Sequence, residues 1–199
     1  MYLRPAFTET DTTRIAGLIS ENPFGLLVTN GAGGLDASPV PFVVTREGTD
    51  IVLTGHLAAA NAQCACFGGG AAMAAFGGPH AYISPSWYRT QPAVPTWDYA
   101  AAHVHGHLER LDGDALMDVL RALAQGDPGG FDVDALEAGY RDGMVNSIRG
   151  FRLRAERIEA QWKMSQNRSI ADREGVVAGL RQRGENAAAA LVAASLPGG

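Results

Sequence analysis

Three apolar segments near the start of the chain are joined by very short turns, and this feature constrains the fold most. FGLLVT at 24–29 and PVPFVVT at 39–45 flank the glycine-rich stretch NGAGG, and REGTD then leads into IVLTGH at 51–56. Turns this short predict strands that pair as antiparallel hairpins, because a parallel pair needs a crossover of a dozen or more residues. Two prolines place the start of the second strand at a sheet edge or a bulge.

The rest of the chain adds strands and places helices at both ends. Strands are predicted from AAMAAF at 71–76 into PHAYISPSWY at 79–88, for AAAHVHGHLERL at 100–111, and for FRLRAERIEAQWKM at 151–164, where a phase change indicates a β-bulge. Helices are predicted for residues 8–20, 114–126, 132–150 and the alanine-rich end. Thr8 with Asp11, and Ser169 with Asp172, have capping-box spacing, and Gly184 is expected to interrupt the last helix.

This pattern predicts an α+β, mainly antiparallel β fold. About six strands joined mostly by hairpins favour an antiparallel barrel with flanking helices over a parallel sheet. We expect a barrel domain over residues 1–168 and a helical C-terminal tail over residues 169–199.

Charge and hydropathy narrow the functional classes. The 16 basic and 21 acidic residues leave a net charge of −5, which gives little support to direct, tight DNA binding. No apolar run approaches the roughly 18 residues of a membrane span, and the N-terminus lacks the apolar region of a secretory signal. We therefore expect a cytoplasmic protein with no membrane partner.

The sequence offers few motifs for catalysis. NGAGG lacks the Lys-Ser/Thr of a P-loop, and Ser84 and Ser86 lack the G-x-S-x-G pattern of a hydrolase. His103, His105 and His107 would share one strand face, where they could hold zinc with a further ligand or be ordinary polar residues of a barrel face. We assign no catalytic residue and no metal ligand from these patterns.

Polar and aromatic residues recur together in five segments: LTGH, PHAYISPSWY, VPTWDY, HVHG and WKMSQN. A concave site lined by rings and hydrogen-bonding side chains would account for them jointly. Packing in a barrel core explains the rings alone, because unpaired His, Gln, Asn and Lys side chains are costly to bury.

Several of these motifs, in this order and spacing, resemble the PaiB family of FMN-binding negative transcriptional regulators. The motifs are ENPFGLLVT, GPHAYISPSWY, VPTWDYAAAHVHG and WKMSQN. The resemblance extends over nearly the whole chain. It implies a split β-barrel of the FMN-binding type, similar to flavin reductases and pyridoxamine phosphate oxidases, and a homodimer with FMN at the subunit interface. The segment PHAYISPSWY would then face the flavin or the partner subunit.

Carried over residue by residue, the resemblance implies a cofactor site built from two segments. The site residues are Thr54, Gly55, His56 and Asn61 of the first segment, and Trp162, Lys163, Gln166 and Asn167 of the second. Ala59 stands where the family pattern has a phosphate-binding arginine, Asp98 where asparagine is usual, and Ala160 where glycine is usual. A guanidinium forms two charge-assisted hydrogen bonds to a phosphate and a methyl group forms none, so we expect weaker FMN binding than in relatives.

Three functions remain open at this point. The chain is expected to be a PaiB-like FMN-binding regulator, acting on DNA directly or through partners. The same barrel also supports flavin-dependent oxidoreductases, in which the cofactor carries the chemistry. A third possibility is a split barrel without flavin that binds haem, a metal or another small ligand.

Overall fold

The computed structural model describes residues 1–197, and Gly198 and Gly199, the last two residues of the predicted tail, lie outside the described part. The described residues form nine strands and five α-helices. The strands are β1 (Thr8–Glu9), β2 (Phe24–Gly31), β3 (Gly34–Pro41), β4 (Val43–Glu47), β5 (Asp50–Ala58), β6 (Gly68–Ile83), β7 (Thr96–Leu111), β8 (Ile148–Arg154) and β9 (Arg157–Lys163). The helices are α1 (Thr12–Glu21), α2 (Gly113–Ala124), α3 (Ala138–Asn146), α4 (Ile170–Gln182) and α5 (Asn186–Ala194).

The chain divides into two compact units. Unit 1 contains residues 1–11, 77–102 and those from 159 onward, and unit 2 contains residues 12–76 and 103–158. Strands β6, β7 and β9 contribute residues to both units. The predicted boundary between residues 168 and 169 stays a prediction.

Unit 2 is built from antiparallel pairs, as the short turns predicted. β2 pairs with β3 through the tight turn at Gly31 and Gly34, β4 pairs with β5, and β8 pairs with both β5 and β7. Its core contains an aromatic cluster in which the Phe42 ring lies 5.0 Å from Phe76 and 5.7 Å from Phe151, both edge to face. Such edge-to-face pairs are favoured by the ring quadrupoles and add to the stability from burial.

In unit 1, β9 pairs with β1 and β7, and α4 packs against α5. The Ser169 hydroxyl accepts the Asp172 N–H at 3.2 Å, which confirms the predicted N-cap of α4. The Asp172 carboxylate accepts the N–H groups of Arg89 and Thr90 at 2.7 and 2.9 Å. These backbone donors, Thr90 first, hold the pKa of Asp172 below its usual value. Gly184 interrupts the tail between α4 and α5 with φ +77°, as expected.

The helix predicted over residues 132–150 is a 3₁₀ turn at Val133–Ala135 followed by α3, and residues 148–150 already belong to β8. Three further local predictions were wrong. Thr8 lies in β1, not in a helix cap, because residues 8 and 9 pair with Gln161 and Ala160 of β9; helix α1 begins at Thr12. PVPFVVT is divided between β3 and β4, because Phe42 turns inward into the aromatic cluster and its N–H donates to Pro23 O at 2.8 Å.

The third error concerns the predicted β-bulge in FRLRAERIEAQWKM. The segment forms two strands, β8 and β9, that separate at Ala155 and Glu156. At this point the Ala155 N–H donates to Ile51 O and the Glu156 N–H donates to His105 O, both at 2.9 Å. The chain changes pairing partners there, which produces the same phase change in the sequence as a bulge.

Candidate functional site

The first predicted group of site residues lies on β5 of unit 2. Thr54 and His56 alternate with Gly55, so the two side chains share one face of the strand while Gly55 faces the core. A Cβ at Gly55 would lie 2.8 Å from Phe151 Cζ and 3.1 Å from Pro41 O. Gly55 therefore lets β5 pack closely on the aromatic cluster.

His56 is half-buried and lines a cavity in unit 2. Its Nδ1 atom is shielded from water and has no hydrogen-bond partner within residues 1–197. Burial lowers the pKa of His56 below its usual value, so the ring is neutral at physiological pH. A neutral imidazole can offer a phosphate one N–H hydrogen bond but no positive charge.

Asn61 already has two side-chain partners in unit 2. Its Nδ2 donates to Ser38 Oγ and its Oδ1 accepts the Gln63 N–H, both at 2.9 Å, which caps the 3₁₀ turn Ala62–Cys66. Asn61 thus ties the end of β5 to β3. If Asn61 contacts a ligand, it would do so with the second N–H of Nδ2 or the second lone pair of Oδ1.

Gln63 was missed by the sequence analysis. The side chain is 2% exposed, and its Nε2 donates to Leu27 O, Thr29 Oγ1 and Asp36 O at 3.0–3.3 Å. These bonds fix the β2–β3 hairpin to the turn after β5. A glutamine inside an alanine-rich segment was the only signal, and nothing in the neighbouring sequence distinguished it from an exposed residue.

The second predicted group lies in unit 1. Lys163 Nζ donates to Thr96 Oγ1 at 2.7 Å and to the carbonyl of Trp97, and it pairs with Asp98 Oδ1 at 3.3 Å. The lysine side chain is 21% exposed, so it does not extend into bulk solvent. Its charge is shared with a carboxylate, which reduces what it can offer to another anion.

The other residues of WKMSQN differ in their exposure. Trp162 is buried, and Asn167 is exposed. The Gln166 side chain folds back onto its own segment, accepting the Met164 N–H at 2.7 Å and donating to Trp162 O at 2.5 Å. Gln166 therefore holds the turn in shape, and Asn167 is the residue of this group most open to solvent.

Asp98 is a buried carboxyl group in this region. It is 1% exposed, and its Oδ2 accepts the Ser165 hydroxyl at 2.7 Å from a residue with φ 57°, in the left-handed region. Burial raises the pKa of Asp98 above its usual value, although the Ser165 hydrogen bond and the Lys163 charge oppose this. The native state therefore binds this proton more tightly than the unfolded chain does.

We expect Asp98→Asn to change how stability depends on pH. Because the folded pKa of Asp98 exceeds its unfolded value of about 3.9, wild-type stability should fall as pH rises between those two values, and the variant should lack this loss. Chemical unfolding across a mildly acidic pH series would measure the difference. Asp142→Asn, on an exposed carboxyl, is the matched control. A stability difference between wild type and Asp98→Asn that is constant with pH would contradict the expectation.

The segment PHAYISPSWY has two faces in unit 1. Ala81 and Ile83 point into the core, while His80 and Tyr82 lie beside Trp97, with ring centroids 6.3 and 6.1 Å from the indole. Tyr82 is 38% and Trp97 55% exposed, so an aromatic surface remains open. We call these three residues the aromatic patch.

The end of the same segment anchors the C-terminal helix. Trp87 packs directly over Gly175 and Gly179 of α4, and the Arg168 guanidinium lies 4.4 Å above the Tyr88 ring. A cation over an aromatic face is attracted by the ring quadrupole. Arg168 is thus engaged with an aromatic side chain.

The histidine row of β7 consists of His103, His105 and His107, and His107 has a side-chain partner. The His103 and His105 rings lie 6.4 Å apart, as expected for alternate residues of one strand. His107 Nδ1 lies 2.7 Å from Glu156 Oε1, with both side chains more than half exposed. Within unit 2, His107 therefore has its own partner, and the role of the row stays open.

Comparison with known proteins covers most of the chain. Residues 1–157 match a family model described as "Putative FMN-binding domain". The chain is 33% identical over 186 residues to Protease synthase and sporulation protein PAI 2 of Bacillus subtilis, an alignment that covers 91% of this chain and 89% of that protein. The chain belongs to the PaiB family.

Solved structures of more distant proteins agree with this PaiB-family fold. The FAD and haem binding protein of Mycobacterium smegmatis is 18% identical with a TM-score of 0.61, covering 86% of this chain and 80% of that one. The flavocytochrome Anf3 of Azotobacter vinelandii is 12% identical with a TM-score of 0.59, covering 81% and 72%. The predicted mainly antiparallel split-barrel class is confirmed. Among residues 1–197, no helix of this PaiB-family chain is long and apolar enough to cross a membrane.

Proposed function

We propose that this chain is a PaiB-like FMN-binding split-barrel protein that acts in the cytoplasm as a negative transcriptional regulator. The family match over residues 1–157 carries the proposal. The name of the B. subtilis relative, which refers to protease synthase and sporulation, supports a regulatory role. The net charge of −5 favours regulation through a partner or a limited DNA contact over a broad basic DNA-binding face.

The β5 residues fit an FMN phosphate as hydrogen-bond donors. Thr54 and His56 share one face, and the His56 Nδ1 atom has no partner within residues 1–197. Gly55 and Asn61 would shape the same segment. Trp162, Lys163, Gln166 and Asn167 form the second proposed group, in which the Lys163 charge is already offset by Asp98. When bound, FMN supplies redox chemistry that the side chains do not.

The cofactor content of the purified protein tests this proposal. A yellow protein that releases FMN on denaturation is the expected result, with FMN titration of the stripped protein giving the affinity. Bleaching of bound flavin by NAD(P)H would favour the flavin-dependent oxidoreductase. A colourless protein that does not bind added FMN but takes up haem or zinc would overturn FMN binding and favour the third function.

Transcript levels test the regulatory part separately. In cells lacking the gene, transcripts of a repressed set should rise, and they should fall again when the wild-type gene is restored. Gel-shift assays with DNA upstream of those transcripts, with and without FMN, would distinguish direct binding from action through a partner. An unchanged transcript profile would argue against a repressor.

We expect a homodimer. The exposed rings of Tyr82 and Trp97 in the aromatic patch support this, because obligate dimer interfaces are apolar and bury more than roughly 2,000 Å². Sedimentation should give twice the 20.9 kDa mass at micromolar concentration. Trp97→Arg should shift the protein toward monomer and Tyr2→Arg, at a residue that is 83% exposed, should not. A wild-type monomer would contradict the expectation.

A further inference from the structure

A cavity of about 320 Å³ lies within unit 2, on the face of β5 that carries His56. His56 of β5, Ile148 of β8 and Leu120 of α2 belong to the lining. Seven residues between positions 131 and 145, four of them in α3, complete the wall. Small-molecule sites have volumes of roughly 300–1,000 Å³, so the cavity is large enough for one small ligand.

Most of the side chains that line the cavity are apolar, and some of them are exposed to solvent. Phe131 is 51%, Tyr140 61% and Met144 53% exposed, although all three line this one cavity. Val133, Leu136 and Val145 lie among them. Clustered large apolar side chains at the surface mark interaction sites, because covering them removes apolar area from water. Two rings and a thioether favour an aromatic ligand, which they can contact face or edge on.

The nitrogen-bearing groups of the lining are His56 and Arg141. The buried Nδ1 of His56 has no partner within residues 1–197, and a buried polar atom of this kind is normally paired. The Arg141 side chain is 28% exposed, and a guanidinium can only donate hydrogen bonds. Arg141 therefore requires a ligand whose polar end accepts hydrogen bonds, and a carboxylate also complements its positive charge.

Acidic residues near Arg141 offset part of its charge without blocking a second anion. The Glu137 carboxylate is directed at the N–H groups of Gly139 and Tyr140 at 2.8 Å, and Asp134 is paired with Arg121 at 2.7 Å, so both act on Arg141 only through their charge. Asp142 lies 3.6 Å from Arg141, but its side chain is 68% exposed and it is absent from the lining. An exposed pair at this distance is weak and does not preclude a second anion.

We propose that this cavity binds a small aromatic carboxylic acid, with its ring against Phe131, Tyr140 and Met144 and its carboxylate at Arg141. The site lies on the same strand face as the residues proposed for FMN but does not depend on flavin binding. Such a ligand would be an effector of the protein, because the lining contains no nucleophile or acid–base pair arranged for a reaction on it.

Nuclear magnetic resonance with ¹³C-methyl methionine tests the site directly, using 3-phenylpropionate as the probe. The Met144 signal, assigned with Met144→Leu, should shift on titration, while that of Met73 in β6 should not. Val145→Trp should fill the cavity and abolish the shift while the protein remains folded by circular dichroism. An unshifted Met144 signal at saturating probe would overturn the proposal.

Calorimetry with a matched pair of ligands isolates the carboxylate. Arg141→Gln should weaken 3-phenylpropionate at least about tenfold but leave 3-phenylpropanamide unchanged, and Arg183→Gln, on an exposed arginine of the tail, should change neither. An equal loss for acid and amide would overturn the role of the charge.

FMN and the probe should bind together. Mutual exclusion would show that the cavity is part of the flavin site and would overturn a separate site, whereas failure to bind FMN would affect only the flavin proposal.

Discussion

Replacing Ala59 with arginine is expected to tighten FMN binding about ten- to over a hundredfold, which is about 1.5–3 kcal/mol. Ala59 is partly exposed in the turn after β5, and its N–H donates to Ser147 O at 2.8 Å, so the backbone is held while the side chain has room. The new guanidinium would supply charge-assisted hydrogen bonds that the neutral His56 cannot. Riboflavin lacks the phosphate, so its affinity should stay unchanged.

The structure strengthens this expectation by showing what the other candidate cations do. Lys163 is paired with Asp98, and Arg168 lies over Tyr88, so both have partners in unit 1. Neither is a free replacement for an arginine at position 59. Ala59→Arg is therefore expected to add a cation that neither of these two residues supplies.

Titration of FMN and riboflavin into wild type, Ala59→Arg and Ala60→Arg would measure the effect. Ala60→Arg adds the same charge at the next, exposed position of the turn and controls for general electrostatic attraction. Added salt should weaken that general attraction more than a contact shielded from water. Equal FMN affinities in wild type and Ala59→Arg, or a parallel gain for riboflavin, would rule out a missing phosphate contact at position 59.

Gly106→Ala is expected to destabilise the protein by about 1–3 kcal/mol, at the upper end of this range. A Cβ at position 106 would lie 2.1 Å from the carbonyl oxygen of Arg154 and 3.5 Å from Leu153 Cδ2. The first of these atoms belongs to the backbone of β8, which is held between β5 and β7. Relief would require the strands to move apart, so the clash cannot be removed by a side-chain rotation.

Thermal unfolding would measure the effect, because each kcal/mol lowers Tm by about 2–4 °C in a chain of this size. Gly77→Ala is the matched control, since Gly77 also lies in a strand and has no heavy atom within 4 Å of its would-be Cβ. The control should be neutral or slightly stabilising, because alanine loses less backbone entropy than glycine. A Gly106→Ala variant as stable as the Gly77→Ala variant would contradict this close approach of the two strands.

Predictions from the sequence were correct for elements that depend only on neighbouring residues. The hairpin at Gly31 and Gly34, strand β5, helix α2 and the Ser169 cap of α4 all follow from turn chemistry, hydrophobic periodicity and capping within a few residues. The errors occurred where pairing with residues far away in the sequence determines the secondary structure. Thr8 looks like a helix cap until β9 pairs with it, and the phase change at Ala155 looks like a bulge until the partner strands are known.

The candidate site shows the same division. The sequence predicted that Thr54, His56 and the WKMSQN segment carry unusual polar residues, and it predicted the family to which they belong. It did not predict that Asn61 would cap a 3₁₀ turn, that Gln166 would fold back on its own segment, or that Gln63 would be the buried residue of that region. These roles depend on which carbonyl or N–H lies within about 3 Å, which residue type does not determine.

The sequence alone therefore determined the antiparallel class and the PaiB family, because these depend on periodicity, turn residues and motif spacing, whereas the arginine expected at position 59 stays a prediction. Only the tertiary structure decided that Lys163 is paired with Asp98, that His56 is neutral and borders an apolar cavity, and that Gly106 allows two strands to meet. The pKa and the available charge of a group depend on burial and on partners far away in the sequence. Those quantities arise only when the chain has folded.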